Sequence, residues 1–279
     1  MIKGIKFLIK TAIVLIILAL LILGYARFIE PYNLECTEAE IDSPLISADG
    51  EPIKAALFGD THFGFNYDIE DFEKVIAEIE KASPDIIFFT GDLVDNLNTY
   101  KGDFAEISEA LSRLEAPLGK FAVYGNHDYS KHGNNIYEDI MTTGGFKVLI
   151  NESAELTDYN TVIHGIDDCL IGYGDPTFLQ YADESKFNLV LCHEPDVFAE
   201  ILDYNVSLML SGHTHGGQIK LPVYVEPIST IFLPPYGRQY VSGMYEESGS
   251  VLYVTHGIGT TKLPLRFMAV PELAFISIY

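Results

Sequence analysis

The sequence predicts an α/β domain with a mixed sheet, set behind one membrane-spanning segment. Two patterns carry that expectation. Short apolar runs alternate with stretches whose apolar residues recur at helical spacing, the mark of strands covered by amphipathic helices. Ahead of them lies a single long apolar stretch that neither pattern explains.

That stretch, Phe7 to Ala26, reads FLIKTAIVLIILALLILGYA with Lys10 as its only charge. At about 1.5 Å per residue, about 20 such residues cross a hydrocarbon core of roughly 30 Å. Lys10 is within about a turn of one end and can snorkel to the head groups. Lys3, Lys6 and Lys10 flank the front of the run, and Arg27 alone follows it before Glu30, Glu35, Glu38 and Glu40. The positive-inside rule then leaves the front cytoplasmic and the domain outside, a single-pass cell-membrane protein with an extracytoplasmic domain. Gly24 and Ala26 also have the spacing of a signal-peptidase site, so a cleaved signal is the competing reading. The apolar run is longer than a signal core of about 7–15 residues, which favours the retained anchor.

The expected division is an anchor over residues 1–28, a linker and edge strand over 29–44, and one domain over 45–279. Strand KAALFGD leads into a helix that starts at Asp68, buries Ile69, Phe72, Val75, Ile76 and Ile79, and stops at Pro84. DIIFFTGD is a second strand, 104–114 a second helix and KFAVYGNHD a third strand. A third helix is expected over 135–142. Further strands are expected at 147–150, 161–165, 187–192, 206–211, 239–244, 250–255 and 273–278. The later half carries more strand and less helix, so the sheet is expected to be mixed.

Composition excludes several functions. Lys and Arg number 17 against 40 Asp and Glu, a net charge of −23. Such a balance repels the phosphate backbone, so no nucleic-acid partner is expected. It equally disfavours an electrostatic grip on anionic lipid. Cys36, Cys169 and Cys192 show no CxxC spacing, which argues against a thiolate zinc site. One disulfide stays possible in an exported domain. GxxxxGK[ST] and G-x-S-x-G are both absent, so no P-loop or serine hydrolase is indicated.

Chemistry concentrates at strand ends. Asp60-Thr61-His62, Gly91-Asp92, Gly125-Asn126-His127-Asp128, Cys192-His193-Glu194 and Gly212-His213-Thr214-His215 each follow a predicted strand. Ligand sites in α/β sheets gather outside the carboxyl ends of strands, so these loops can converge. Of eight histidines in the chain, five stand in these loops, which sets them apart from scattered structural histidines. Carboxylate and imidazole without thiolate suit Mn, Fe, Zn or Mg rather than copper(I) or iron–sulfur. So many donors exceed one tetrahedral ion and suit two.

The order DxH…GD…GNHD…H…GHTH, from Asp60 to His215, resembles the calcineurin-like metallophosphoesterase superfamily. The later YGRQYVSGMY and LYVTHGIGTTKLPLRF resemble its membrane-anchored bacterial phosphodiesterase subgroup. The resemblance implies two mixed sheets packed face to face and flanked by helices, a four-layer fold. It implies two divalent ions, with Mn favoured and Fe, Zn or Mg as alternatives. Asp60, His62 and His215 would hold one ion; Asn126, His193 and His213 the other; Asp92 would bridge them, with a hydroxide shared between the ions. His127 would contact substrate phosphate and protonate the leaving oxygen, oriented by Asp128. His256 stands where the subgroup would be expected to carry an Arg or a similar residue, an ordinary polar loop residue or else a substrate contact. Arg238, Lys262 and Arg266 are rare cations that could meet phosphate, with surface ion pairing as their ordinary use. The implied activity is phosphoester hydrolysis, on a phosphodiester or a lipid-linked pyrophosphate. A metal-containing scaffold without turnover is the alternative. Oligomeric state cannot be read from the sequence.

Overall fold

The computed structural model describes residues 2–46, 52–130, 135–220 and 233–279. Helix α1, Ile2–Phe28, is apolar on all sides and stands clear of the domain for most of its length. An 18-residue stretch within it has a mean hydropathy of 2.8, and its length matches a membrane span. The stretch expected as a polar linker is packed. Glu30–Tyr32 make a 3₁₀ turn with Glu30 and Pro31 buried, and β1 follows at Glu35–Ile41.

Two six-stranded sheets lie face to face. The first runs β1, β12 (Glu272–Ile278), β2 (Ile53–Phe58), β3 (Ile86–Phe89), β4 (Lys120–Ala122) and β5 (Lys147–Val148). The second runs β10 (Gly243–Glu247), β11 (Ser250–Val254), β9 (Leu208–Ser211), β8 (Phe187–Leu191), β7 (Thr161–Gly165) and β6 (Glu152–Leu156). Both are mixed. β2 to β5 are parallel, and so are β7, β8, β9 and β11; antiparallel pairing joins β12 to β2, β10 to β11 and β6 to β7.

Strand alternation divides the core into layers. Ile86 and Phe88 of β3 face the inter-sheet core with Leu57, Val123, Leu189, Leu191 and Leu210. Ile87 and Phe89 point the other way, against Phe72, Val75, Ile76 and Ile79 of α2 (Ile69–Ala82) and Ile107 and Leu111 of α3 (Phe104–Ser112). Tyr137 and Ile140 of α4 (Asn135–Thr143) complete that outer layer. On the far side Val190 and Met209 meet Phe198 and Ile201 of the short α5, Phe198–Ile201. The result is the four-layer sandwich the resemblance implied. Helix α2 begins where expected, its N-cap Asp68 accepting the Asp71 amide, and ends on left-handed Ser83 just before Pro84.

Two strands depart from expectation. β6, sequence ESAEL, was not anticipated: it is an edge strand whose residues are exposed or half-buried, so it shows no apolar run. β10 begins at Gly243 rather than 239, also at an edge.

Candidate metal centre

Each of the five loops leaves the carboxyl end of a strand: Asp60 after β2, Asp92 after β3, Asn126 after β4, His193 after β8 and His213 after β9. The first three belong to one sheet and the last two to the other. Face-to-face packing brings their ends together.

The loops hold unusual backbone. Asp60, His62, Asp92, His213 and His215 all have positive φ, between 46° and 72°. Non-glycine residues in this left-handed region carry strain, on the order of 1–3 kcal/mol each, and persist where the surroundings impose them. Close approach explains the glycines: a Cβ on Gly125 would stand 2.4 Å from Asp92 Oδ1 and 2.8 Å from His193 Cε1.

Two donor groups result. In one, His215 Nε2 lies 3.1 Å from His62 Nε2 and 3.6 Å from Asp60 Oδ1. In the other, His213 Nδ1 lies 3.0 Å from His193 Nε2. Asp92 joins them, its Oδ2 being 3.4 Å from His62 Nε2 and 3.3 Å from His193 Nε2. Asn126 Oδ1 is buried with no hydrogen-bond partner. All the candidate ligands except Asn126 are nearly inaccessible.

Whether these groups fit cations can be tested on the imidazoles. His193 Nδ1–H donates to Thr90 O at 2.6 Å and His213 Nε2–H donates to Pro235 O at 2.8 Å. For neutral rings those bonds fix the tautomers, so both inward nitrogens carry lone pairs, facing each other beside a carboxylate. Such an arrangement calls for a cation among the donors: burial would lower His193, but Asp92 outweighs it and raises the imidazole well above its ordinary value, so that without an ion a proton takes the cation's place. Burial pushes Asp60 up to about 6 and drives His213 down to about 3, the latter helped by His193; His215 is also held well below its ordinary value, first by burial. Burial would raise Asp92, but His193, His127 and His62 outweigh it and hold the carboxyl well below its usual range. The donor set fits divalent ions.

His127 stands beside these groups. Its ring packs edge-on to His62 at 4.6 Å, and Nδ1–H donates to Asp95 O, which leaves Nε2. Against the effect of burial, Asp92 and Asp95 raise its pKa. A set of His62, Asp92 and His127 is also compact enough to ligate, but His127 lines the open cleft and is the least buried of the three. Asp128 does not orient this ring. Its buried carboxylate accepts the amides of Asp92 at 2.7 Å, Leu93 at 2.9 Å and Gly125 at 2.8 Å. It therefore pins the Asp92 loop to the Asn126 loop, and Asp95 is the residue that holds His127.

Residues 53–217 match the calcineurin-like phosphoesterase family. The chain belongs to that family. It is a metal-dependent hydrolase of phosphoesters. It is 42% identical over 91% of its length to a metallophosphoesterase of Bacillus subtilis named YkuE, covering 89% of that protein. It is 28% identical to the phosphodiesterase YaeI of Escherichia coli, over 91% of this chain and 92% of that one. It is 27% identical to the UDP-2,3-diacylglucosamine pyrophosphatase LpxG of Chlamydia trachomatis, over 90% of this chain and 91% of that one.

The cleft beside the candidate ligands, about 130 Å³, is lined by His127, His213, His215, Thr261, Lys262 and Leu263 among others. Of the three cations weighed from sequence, only Lys262 borders it. Arg238 is exposed, and Arg266 is fully buried. The Arg266 guanidinium donates to the carbonyls of Gly259, Gly257, His256 and Ala269, so it is neither a surface ion pair nor a phosphate ligand. His256 is structural too, its Nδ1–H donating to Val270 O at 3.1 Å.

Behind His193 a further set, Cys169, Cys192 and Glu194, could also ligate. Burial, and after it Asp168, raise the Glu194 carboxyl well above its ordinary range, and Glu194 Oε1 and Asp168 Oδ1 are buried without a hydrogen-bond partner. The three cysteines are free thiols.

Sequence reasoning missed Asp95, the Thr90 and Pro235 carbonyls, and the burial of Arg266. Asp95 alone had a signal, an acid three positions after Asp92 in the same loop. Backbone carbonyls have none.

Proposed function

We propose that the chain hydrolyses a phosphodiester or a lipid-linked pyrophosphate with two divalent ions. Asp60, His62 and His215 would hold one ion, Asn126, His193 and His213 the other, and Asp92 both. The observation that carries this reading is the single Asp92 oxygen set between two imidazole groups, 3.4 Å from His62 and 3.3 Å from His193. When bound, two such ions lower the pKa of water and take up charge on phosphoryl oxygens.

The chain's own groups do the rest. Thr90 O and Pro235 O hold His193 and His213 in the tautomers that aim lone pairs inward. Asp128 fixes the Asp92 and Gly125 amides, and with them the spacing of the two loops. His127 Nε2 delivers a proton to the departing oxygen, while Asp95 O keeps the ring turned to the cleft. Lys262 at the rim attracts the substrate's negative charge into an acidic domain. Helix α1 would anchor the enzyme as a single-pass protein with residues 45–279 as an extracytoplasmic catalytic domain, Mn being the favoured metal. The likeness to LpxG, named as a UDP-2,3-diacylglucosamine pyrophosphatase, supports a lipid-linked pyrophosphate.

The test uses the full chain in detergent, because Ala26 and Glu30 bond to the domain. Hydrolysis of bis(p-nitrophenyl) phosphate is measured after chelation and after return of Mn²⁺, beside Asp92→Ala and His127→Ala. Activity should return with metal. Asp92→Ala should lower kcat/KM on the order of a thousandfold, the equivalent of several kcal/mol of charge stabilisation. His127→Ala should cost about 10²–10⁴-fold in kcat while metal content holds. A folded, metal-loaded protein indifferent to His127→Ala would instead be a scaffold.

A further inference from the structure

The exit of α1 is bonded to the chain segment that supplies part of the cleft's wall. Ala26 is 4% exposed, while Phe28 and Ile29 just beyond it are 70% and 57% exposed. Ala26 O accepts the Arg266 amide at 3.0 Å, and the buried Glu30 carboxylate accepts the Ala269 amide at 2.7 Å. The Arg266 guanidinium ties this point to Gly257 and Gly259 and reaches His215 O at 3.4 Å. Upstream in the same segment, Thr261, Lys262 and Leu263 line the cleft beside His127, His213 and His215. Gln218 Nε2 donates to Thr261 O and Leu263 O at 2.9 Å each, so the rim is held firmly.

Helix α1 sets the level of the bilayer. Its apolar run ends at Ala26, so about 20 residues at about 1.5 Å bring that residue to the edge of the hydrocarbon. A segment bonded to Ala26 and Glu30 stands at that edge, within about one helical turn or 5 Å. Met268 there is 53% exposed and Leu263 is 39% exposed. Met268 also has φ 57°, a conformation that a long side chain rarely takes. Apolar side chains at that depth enter the boundary between head groups and acyl chains. Electrostatics does not drive this seat, since a net charge of −23 repels anionic head groups. The cleft, about 130 Å³, opens beside this segment, with Thr261, Lys262 and Leu263 in its lining. A substrate larger than a phosphoryl group can extend across this rim.

We infer that residues 261–268 form a membrane-seated lip, and that the centre acts on the phosphoester of a lipid which stays in the bilayer. The phosphate enters past Lys262 and the acyl chains remain in the membrane beside the lip. This inference rests on the hydrolase reading above.

The test reconstitutes the full chain with Mn²⁺ in phosphatidylcholine vesicles. It compares two substrates with one leaving group, soluble bis(p-nitrophenyl) phosphate and a dioleoylphosphatidyl p-nitrophenyl ester in the vesicles. Met268→Asp lies outside the cleft. It should lower lipid-ester turnover about tenfold and leave soluble-ester turnover within about twofold, since burial of one apolar side chain corresponds to a factor of that size. Wild-type protein that cleaves the soluble ester and ignores the lipid ester overturns the inference. So does a Met268→Asp effect that is equal on both or absent from both. Failure of metal-loaded wild type on both substrates strikes the hydrolase reading instead. An environment-sensitive dye on Cys36→Ser/Met268→Cys should be quenched by spin-labelled lipid; a water-exposed signal overturns the seat without reference to activity.

Discussion

The two sheets bring opposite chemistry to the cleft. The first contributes every carboxylate among the candidate ligands, Asp60 and Asp92, together with His62 and Asn126; the second contributes only imidazoles, His193, His213 and His215. They are braced differently as well. The acid side is fixed by one buried carboxylate, Asp128, which gathers three amides from two loops. The imidazole side is fixed by backbone carbonyls, Thr90 O and Pro235 O, and by Arg266 under His215. The difference teaches that each proposed ion draws its donors from both edges, Asp60 and His62 with His215 in one group, Asp92 and Asn126 with His193 and His213 in the other. Anionic donors on one sheet and neutral donors on the other need face-to-face packing to meet, and a bound ion then staples the sheets together.

Disabling one brace at a time sharpens that contrast. Arg266→Met should have the largest effect. It strands the carbonyls of Gly257, Gly259 and Ala269 and removes the positive charge between the buried acids Asp60, Glu30 and Glu272. Loss of about 3–5 kcal/mol in chemical denaturation is expected, as for a broken buried ion pair. The ion at His215 should be weakened more than the ion at His193. Equal weakening would break the contrast.

Asp128→Asn should come next. An amide oxygen cannot accept all three amides, and its NH₂ faces donors. We expect about 1–3 kcal/mol of destabilisation and a drop of about 10–100-fold in metal affinity, measured by calorimetry. Because Asp92 belongs to both groups, both ions should weaken together.

Arg113→Ala should be the smallest. Arg113 pairs bidentately with Glu73 on the exposed faces of α3 and α2, remote from the metal donors. A solvated surface pair contributes little, so melting temperature and metal content should not change. A measurable loss of metal would show that the acid-side helices transmit strain to the loops.

The donors were legible in the sequence because carboxylate and imidazole identity is written in the chain, and strand ends are readable from hydrophobic pattern. The helices followed from spacing and caps at Asp68 and Pro84. The two-sheet arrangement was not readable from periodicity, since any apolar strand reads alike whichever sheet it joins; it came from the motif order. Braces were least legible. Thr90 O and Pro235 O are backbone atoms and leave no trace in residue type. Arg266 reads as a surface cation, because its burial depends on carbonyls that the folded loops alone bring together. The family resemblance makes Asp128 the partner of His127, whereas its side chain turns to the amides of the neighbouring loop.

The most direct measurement is anomalous X-ray scattering from crystals of the Mn²⁺-loaded full chain. The account predicts two peaks about 4 Å apart, one beside Asp60, His62 and His215, the other beside Asn126, His193 and His213, with the Asp92 carboxylate between them. A single peak, or density at Cys169, Cys192 and Glu194 in place of either, would contradict it.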